Sequence, residues 1–133
     1  REPRPLTPSI SCDQIRKIRI GMSADDVREI LGRYVSASNE KDDFEPRATT
    51  HVMYHYAPQE DWTYADHLFI GYGTGGVVYV LAERMYPDRV FDRASGQNPV
   101  LAYRLSTKDG QERREIGPEF THVFKCENPP PNQ

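Results

Sequence analysis

Three histidines have the residue type and spacing that a metal site could use. His51 and His55 lie on the same face of a predicted strand, and His67 lies on the next predicted strand. Neutral imidazole nitrogens are good ligands for zinc and copper. No Cys, Asp or Glu has a matching spacing, so we predict no metal site and no cofactor. A small metal-binding protein remains the minor alternative.

Catalytic patterns are not found in the chain. A nucleophile needs a neighbouring base and carboxylate, but no Gly-x-Ser-x-Gly occurs and neither cysteine has a catalytic context. The Gly-rich stretch 71–76 lacks the Gly-Lys-Ser/Thr ending of a phosphate loop, and a strand follows it, so it predicts a hairpin turn. We therefore predict a protein that is not an enzyme, with a small hydrolase as the alternative.

Aromatic residues on three adjacent predicted strands are the stronger functional signal. Tyr and Trp are enriched at binding hot spots, because they bury a large area and keep a polar group. We therefore predict a protein-binding surface on the sheet. The alternative is that half of the aromatic residues pack in the core and the rest border it. The predicted surface residues are Tyr54, Tyr56, Trp62, Tyr64, His67, Phe69 and Val80.

The strands that position these residues are predicted from alternating apolar residues and from turn residues. They are expected at 49–57, 64–72, 77–86, 100–107, 111–116 and 120–126. Residues 33–47 and 87–99 are expected to be loops. A hairpin loop centred on Thr74 and Gly75 predicts a core face and a second face. The core pairs are Tyr72 with Val77, Ile70 with Tyr79 and Leu68 with Leu81, and the second face pairs Phe69 with Val80, Gly71 with Val78 and His67 with Ala82.

Two short helices are predicted before the strands. Ser11 can cap the first, with Gln14 in the capping-box position. Ser23 can cap the second, whose apolar residues Val27, Ile30 and Leu31 share one face. Gly32 stands where a helix commonly ends in a left-handed residue.

The second helix and the turn before it resemble a known family. The residues that carry the resemblance are Ile20, Gly21, Met22, Ser23, Val27, Leu31 and Gly32. They resemble the signature of the small protein A (outer-membrane lipoprotein A) family. Trp62-Thr63-Tyr64, Leu68-Phe69-Ile70 and the Gly-rich hairpin are similar to a second family feature, so the resemblance covers roughly residues 12–86.

The resemblance implies a fold and a function. Its helix-helix-strand-strand-strand unit is also that of the β-lactamase inhibitory protein fold, in which a sheet face grips a target enzyme. It implies an exported bacterial protein that binds an enzyme or toxin as an inhibitor or immunity protein. The alternative that it implies is an accessory protein of envelope assembly. A lipid anchor is not expected, because the lipobox Leu before Cys12 is missing.

Cys12 and Cys126 allow two interpretations. They are either free buried thiols of a cytosolic protein or one disulfide of an exported protein. The family resemblance favours the disulfide and a periplasmic or secreted location.

Length and composition complete the prediction. The 133 residues suffice for one domain, expected at 11–126, between an extended arm at 1–10 and a Pro-rich tail at 127–133. The net charge of −3 implies no general affinity for nucleic acid, and no apolar run reaches membrane-spanning length. The predicted fold class is α+β: two short N-terminal helices packed on one face of an antiparallel sheet with extra C-terminal strands.

Overall fold

In the part of the chain that the structure describes, six strands form one antiparallel sheet, in the order in which they occur along the chain. The computed structural model describes residues 10–41, 45–55, 65–87 and 97–126. The predicted arm before residue 10, the residues 56–64 and the predicted tail lie outside this part of the chain. The strands are β1 (Ser36–Ser38), β2 (Thr50–His55), β3 (Ala65–Gly73), β4 (Gly76–Pro87), β5 (Gln97–Lys108) and β6 (Gln111–Ile116).

Three short helices in the described ranges accompany the sheet, which gives an α+β architecture. They are α1 (Cys12–Arg16), α2 (Ala24–Leu31) and α3 (Phe120–Val123). The predicted capping box of α1 is confirmed, because the Ser11 hydroxyl accepts from the Gln14 N–H and the Gln14 side chain accepts from the Ser11 N–H. The Ser23 hydroxyl caps α2, and α2 ends at Gly32 with a φ of +87°.

No helix in the described ranges is both long enough and apolar enough to cross a membrane.

The core lies on one face of the sheet. Apolar side chains from all three helices and from one face of β2 to β5 form a single buried cluster. Each fully buried aliphatic or Phe side chain stabilises the fold by about 1.5–3 kcal/mol relative to exposure. The helices contribute Cys12, Ile15, Val27, Leu31, Phe120 and Val123, and the strands contribute Val52, Tyr54, Leu68, Ile70, Val77, Val80, Ala82, Ala102, Tyr103 and Leu105.

The predicted strand at 120–126 is wrong. The segment begins with the helix α3, whose Phe120 and Val123, together with Phe124 after it, are buried, whereas His122 is exposed. Spacing of three and four residues buries one side of a helix, and here it overrides the alternation of Phe120, His122 and Phe124 on which the strand was based. The main-chain N–H of Phe124 donates to the carbonyl of Phe120, as a helical turn requires.

The predicted pairing of β3 with β4 is correct only beside the turn. Tyr72 lies opposite Val77 as expected, but the register shifts between Gly71 and Tyr72. Tyr79 therefore lies opposite Gly71, and Val80 lies opposite Ile70. A bulge adds one residue to one strand and so moves every later side chain to the other face. The remaining predicted pairs are therefore wrong. The observed ones are Phe69 with Leu81, Leu68 with Ala82 and His67 with Glu83.

Two predicted loops contain strand. The polar segment 33–47 includes the short edge strand β1, which pairs with β2. β4 and β5 extend into the predicted loop 87–99 from both sides, and Pro87 pairs with Gln97.

The turn between α1 and α2 pairs with the β3–β4 hairpin. The Gly21 N–H donates to the Val77 carbonyl, and the Val77 N–H donates to the Met22 carbonyl, both at 2.9 Å. Gly76 has a φ of +102°, and a Cβ on it would lie 2.6 Å from the carbonyl oxygens of Gly21 and Met22. The Gly-Met-Ser turn and the Gly-rich hairpin therefore contact each other directly through their main chains.

The two ends of the described chain are joined. Cys12 and Cys126 form a disulfide with a Cα–Cα distance of 5.0 Å. Beside it, the Cys12 N–H donates to the Lys125 carbonyl, and the Lys125 N–H donates to the Ile10 carbonyl. The disulfide that the family resemblance favoured is thus present. Disulfides persist in oxidising compartments, and this bridge is compatible with an exported protein.

A buried ion pair connects the sheet with α3. Asp66 is buried and accepts two hydrogen bonds from Arg84, at 2.8 and 3.0 Å. Arg84 also donates to the carbonyl of His122 at the end of α3. A buried carboxylate needs such a partner, because desolvation of an unpaired charge is costly.

Candidate functional site

One row of side chains crosses the face of the sheet that lies away from the core. It runs, in strand order, through Ser36, Met53, Phe69, Leu81, Arg104 and Glu115. The central residues Met53, Phe69 and Leu81 are apolar and partly exposed, and Arg104 forms an ion pair with Glu115 at 3.1 Å. We call the face that carries this row the outer face. Its centre is apolar and its ends are polar, as in many protein interfaces.

A second row places an aromatic side chain over a glycine. Gly71 lies opposite His51 on β2 and opposite Tyr79 on β4. The Tyr79 ring covers the space in which a Gly71 Cβ would stand. The Tyr79 hydroxyl lies 2.8 Å from His51 Nδ1. Three strands are thus linked on the outer face, and Tyr79 is only 9% exposed although it is on that face.

A third group borders the apolar centre on the other side. The rings of His67 and Phe69 are 5.8 Å apart, and His67 lies opposite Glu83. Leu101 lies opposite Glu83 on β5 and is partly exposed. A titratable imidazole and a carboxylate therefore lie beside the apolar row, where they can accept or donate hydrogen bonds to a bound surface.

Two predicted surface residues belong to the core instead. Val80 is 0% exposed and shares the core cluster, so its predicted place on the outer face is wrong. Tyr54 is 1% exposed, and its hydroxyl donates to the carbonyl of Gly32 at 3.0 Å. Burial raises the pKa of Tyr54 to about 12, which keeps this donor protonated. Tyr54 ties β2 to the end of α2 rather than offering a surface contact.

The other predicted surface residues divide into two groups. His67 and Phe69 lie on the outer face as expected. Tyr56, Trp62 and Tyr64 lie outside the described residues.

The prediction omitted residues that the structure brings to the outer face. Met53 could have been found, because the alternation in β2 already placed it away from Val52. Leu81 and Tyr79 could not, because the bulge at Gly71 changed their facing and nothing in the local sequence locates that bulge.

Two of the three histidines have described side chains, and these two contact different partners on the outer face. His51 contacts Tyr79, whereas His67 contacts Phe69. The side chain of His55 lies outside the described part of the molecule. Within that part, no group of three His, Cys, Asp or Glu side chains could hold a metal ion.

Comparison with known proteins gives no relative for this chain. No protein-family model, no curated protein and no solved structure matches it.

Proposed function

We propose that the chain is a protein-binding module that acts without catalysing a reaction. The observation that carries this proposal is the apolar row Met53, Phe69 and Leu81, which is partly exposed on the outer face. An antiparallel sheet with helices on one side usually presents a polar second face. An apolar centre on that face is a feature of surfaces that bind other proteins.

The surroundings of the row support the same function. His51 with Tyr79, His67 with Glu83, and Arg104 with Glu115 place polar groups around the apolar centre. Interfaces with a dry centre and a polar rim obtain most of their affinity from a few central side chains. Phe69 is the largest side chain of the central row, so we assign it the principal contact.

The kind of partner follows from the family resemblance. We propose an exported inhibitor or immunity protein whose outer face binds an enzyme or toxin. The finer fold assignment, two N-terminal helices on one face of the sheet as in the inhibitory-protein unit, belongs to the same proposal. It is supported by the core cluster that α1 and α2 share with the sheet. The Cys12–Cys126 disulfide supports export.

The experiment is capture of the partner on immobilised chain from the envelope and secreted fractions of the source organism. The double variant Phe69→Ser/Leu81→Ser removes the apolar centre. The control Val35→Ala truncates an exposed apolar side chain beside the edge strand β1. Wild type and control should retain the same enzyme or toxin and reduce its activity. The double variant should bind at least about 30-fold more weakly, as loss of a hot spot predicts.

Two outcomes would change the proposal. Equal binding by wild type and a folded Phe69→Ser/Leu81→Ser variant would show that the outer face is not the interface. Capture of outer-membrane assembly components, with no enzyme or toxin, would replace the inhibitor by the accessory-protein alternative.

A further inference from the structure

A basic seam lies between the end of α1 and β6, on the helix side of the sheet. Arg114 of β6 donates from Nη1 to the carbonyl of Arg16, the last residue of α1. Next to this contact, the Glu112 carboxylate accepts from the Ile20 N–H at 2.9 Å and from Arg19 Nε at 2.8 Å. The seam is therefore built by side chains from two elements that are far apart in sequence.

Positive charge is in excess along the seam. Arg19 is paired with Glu112, at 2.7 Å between its Nη2 and Oε1. Within the described residues, Arg16 and Arg114 have no carboxylate partner, and Asp13 on the same helix makes no ion pair. The guanidinium of Arg16 instead lies 5.8 Å from the centre of the Phe120 ring. Two guanidiniums without an ion pair in the described residues leave this seam locally positive in a protein of net charge −3, which favours an anion.

A buried hydroxyl that has no partner among the described residues lies on β5, the strand next to β6. Tyr103 is 0% exposed, with its ring packed against Phe120 and Phe124. Its hydroxyl is buried and has no hydrogen-bond partner among the described residues. Tyr103 lies two residues before Leu105 on the same side of β5, and Leu105 is opposite Arg114 on β6. The Tyr103 ring also contacts Phe120, the ring over which the Arg16 guanidinium lies.

The hydroxyl is available as a donor. Burial raises the pKa of Tyr103, so its proton is retained near neutral pH. A buried polar group that lacks a partner destabilises the fold, and a ligand atom can remove that cost. An acceptor oxygen satisfies this donor, and an anionic one is also attracted by the two guanidiniums that form no ion pair within the described residues.

We propose that Arg16, Arg114 and Tyr103 form a binding site for an oxyanion, a carboxylate or a phosphate group. A ligand oxygen between the two guanidiniums receives charge-assisted hydrogen bonds, and the planar guanidinium matches both oxyanions. The Tyr103 hydroxyl supplies a third donor from below. Arg114 is exposed and Arg16 partly exposed, so their long side chains can move apart to admit the ligand. The site is on the helix side and does not depend on the proposed function of the outer face.

The test is an NMR titration of isotope-labelled protein at constant ionic strength. One arm uses inorganic phosphate, and the other uses a short peptide of consecutive glutamates. We expect saturable amide shifts in α1, β5 and β6, with a dissociation constant on the order of 1 mM or below for the better probe. Tighter binding of the peptide identifies an acidic protein segment as the source of the oxyanion, and tighter binding of phosphate identifies a phosphate compound.

Variants separate a site from general charge attraction. Arg16→Gln/Arg114→Gln should weaken binding at least about tenfold, as loss of one strong charged contact predicts. The control Arg28→Gln/Arg33→Gln removes the same charge from exposed arginines at α2 and should bind as wild type does. Tyr103→Phe should weaken binding and leave the free protein at least as stable, because the hydroxyl has no hydrogen bond to lose within the described residues.

Three results would overturn the proposal. The first is the absence of saturable shifts with both probes. The second is equal weakening by the seam variant and the control variant. The third is a marked loss of stability in Tyr103→Phe, because this would show that the hydroxyl already has an internal partner.

Discussion

The shape of the outer face depends on one residue, Gly71. Its missing side chain leaves the space that the Tyr79 ring occupies, and the Tyr79 hydroxyl then reaches His51 on the far side of β3. A cross-strand aromatic ring over a glycine restores the packing that a glycine loses in a strand. The residues of this contact come from three strands, so it also fixes the register of β2, β3 and β4.

Replacement of Gly71 by Ala tests this contact. The new Cβ would collide with the Tyr79 ring, so we expect a loss of about 1–3 kcal/mol in the free energy of unfolding, as for other overpacked sites. Gly75→Ala is the matched control in the same hairpin, because no described atom beyond its two chain neighbours lies within 4 Å of the position that its Cβ would take. The control should change the free energy by less than about 0.5 kcal/mol. Urea unfolding of both variants measures the difference.

The double variant Gly71→Ala/Tyr79→Ala checks the cause. If the collision with the ring is the reason for the loss, the two changes should be strongly non-additive. Additive effects would mean that the Ala disturbs the strand for another reason.

At the scale of elements, the sequence predicts the features that depend on residues close together in the chain, such as helix caps and most strand positions. Both helix caps follow from Ser11 and Ser23, and five of the six sheet strands overlap predicted segments. β1 was missed because three exposed residues have no hydrophobic period to detect. α3 was misread because a short segment with Phe120, Val123 and Phe124 fits both periods, and only burial against Tyr103 decides.

The candidate site could be predicted only in part, because the facing of some of its residues depends on contacts between strands. Phe69 and His67 were correctly placed, since they precede the hairpin along β3. Val80 was misplaced, since it follows the bulge, and a bulge depends on contacts between strands. Tyr54 was misread because the pattern gives its facing but not which face the helices cover. A prediction of facing is therefore reliable along one strand and unreliable across a turn.

The contact between the Gly-Met-Ser turn and the hairpin gives a prediction for these elements. Gly76→Ala adds a collision with two carbonyl oxygens to the strain of a positive φ. Gly110, in the β5–β6 turn, has a φ of +77°, and no described atom beyond its chain neighbours lies within 4 Å of its Cβ position. Gly110→Ala therefore measures the strain alone. We expect Gly110→Ala to lower the free energy of unfolding by about 1–2 kcal/mol. The loss for Gly76→Ala should be larger by at least about 1 kcal/mol.

Thermal or urea unfolding of the two glycine variants gives this comparison. Equal losses would show that the turn between α1 and α2 moves away from the hairpin at little cost. The amide shifts of Gly21 and Val77 in Gly76→Ala would locate such a movement directly.

The contacts of Glu112 with Arg19 and with the Ile20 N–H form a joint between β6 and the turn after α1, and they give a prediction about its stability. Its hydrogen bond to Arg19, and then that to the Ile20 N–H, hold the pKa of this carboxyl below its usual value of 4.5. A group whose pKa is lower in the folded state stabilises above the usual pKa and loses that effect as pH falls through the folded value. Glu112→Gln should therefore reduce stability at about pH 7 and reduce it less at about pH 3.

Urea unfolding at both pH values measures this difference. Arg19→Gln is the companion variant, since it removes the other partner of the same pair. A stability difference between wild type and Glu112→Gln that does not change with pH would show that the carboxylate charge contributes nothing to the joint.

At the scale of the whole molecule, the contacts within the sheet and the contacts between the two chain ends differ in how far apart in sequence their residues are. The six strands pair with their neighbours in sequence, so each pairing closes only the segment between two strands. The junction of Ile10 to Cys12 with Lys125 and Cys126 instead closes almost the entire described chain. Loop closure of that length has a large entropy cost, and two main-chain hydrogen bonds offset little of it.

We therefore expect the disulfide to supply most of the free energy that holds the two chain ends together. Its sequence separation of 114 corresponds, on the chain-entropy model, to about 4–5 kcal/mol of stability, a large share of the total of a small domain. We expect this loss in the urea unfolding free energy when wild type is reduced, and a similar loss in Cys12→Ala/Cys126→Ala. The alanine variant is also the control, because reductant should leave its unfolding curve unchanged. A loss below about 1 kcal/mol would contradict the entropy argument. It would mean that packing of Ile10 and Phe124 in the core holds the ends together without the covalent bond.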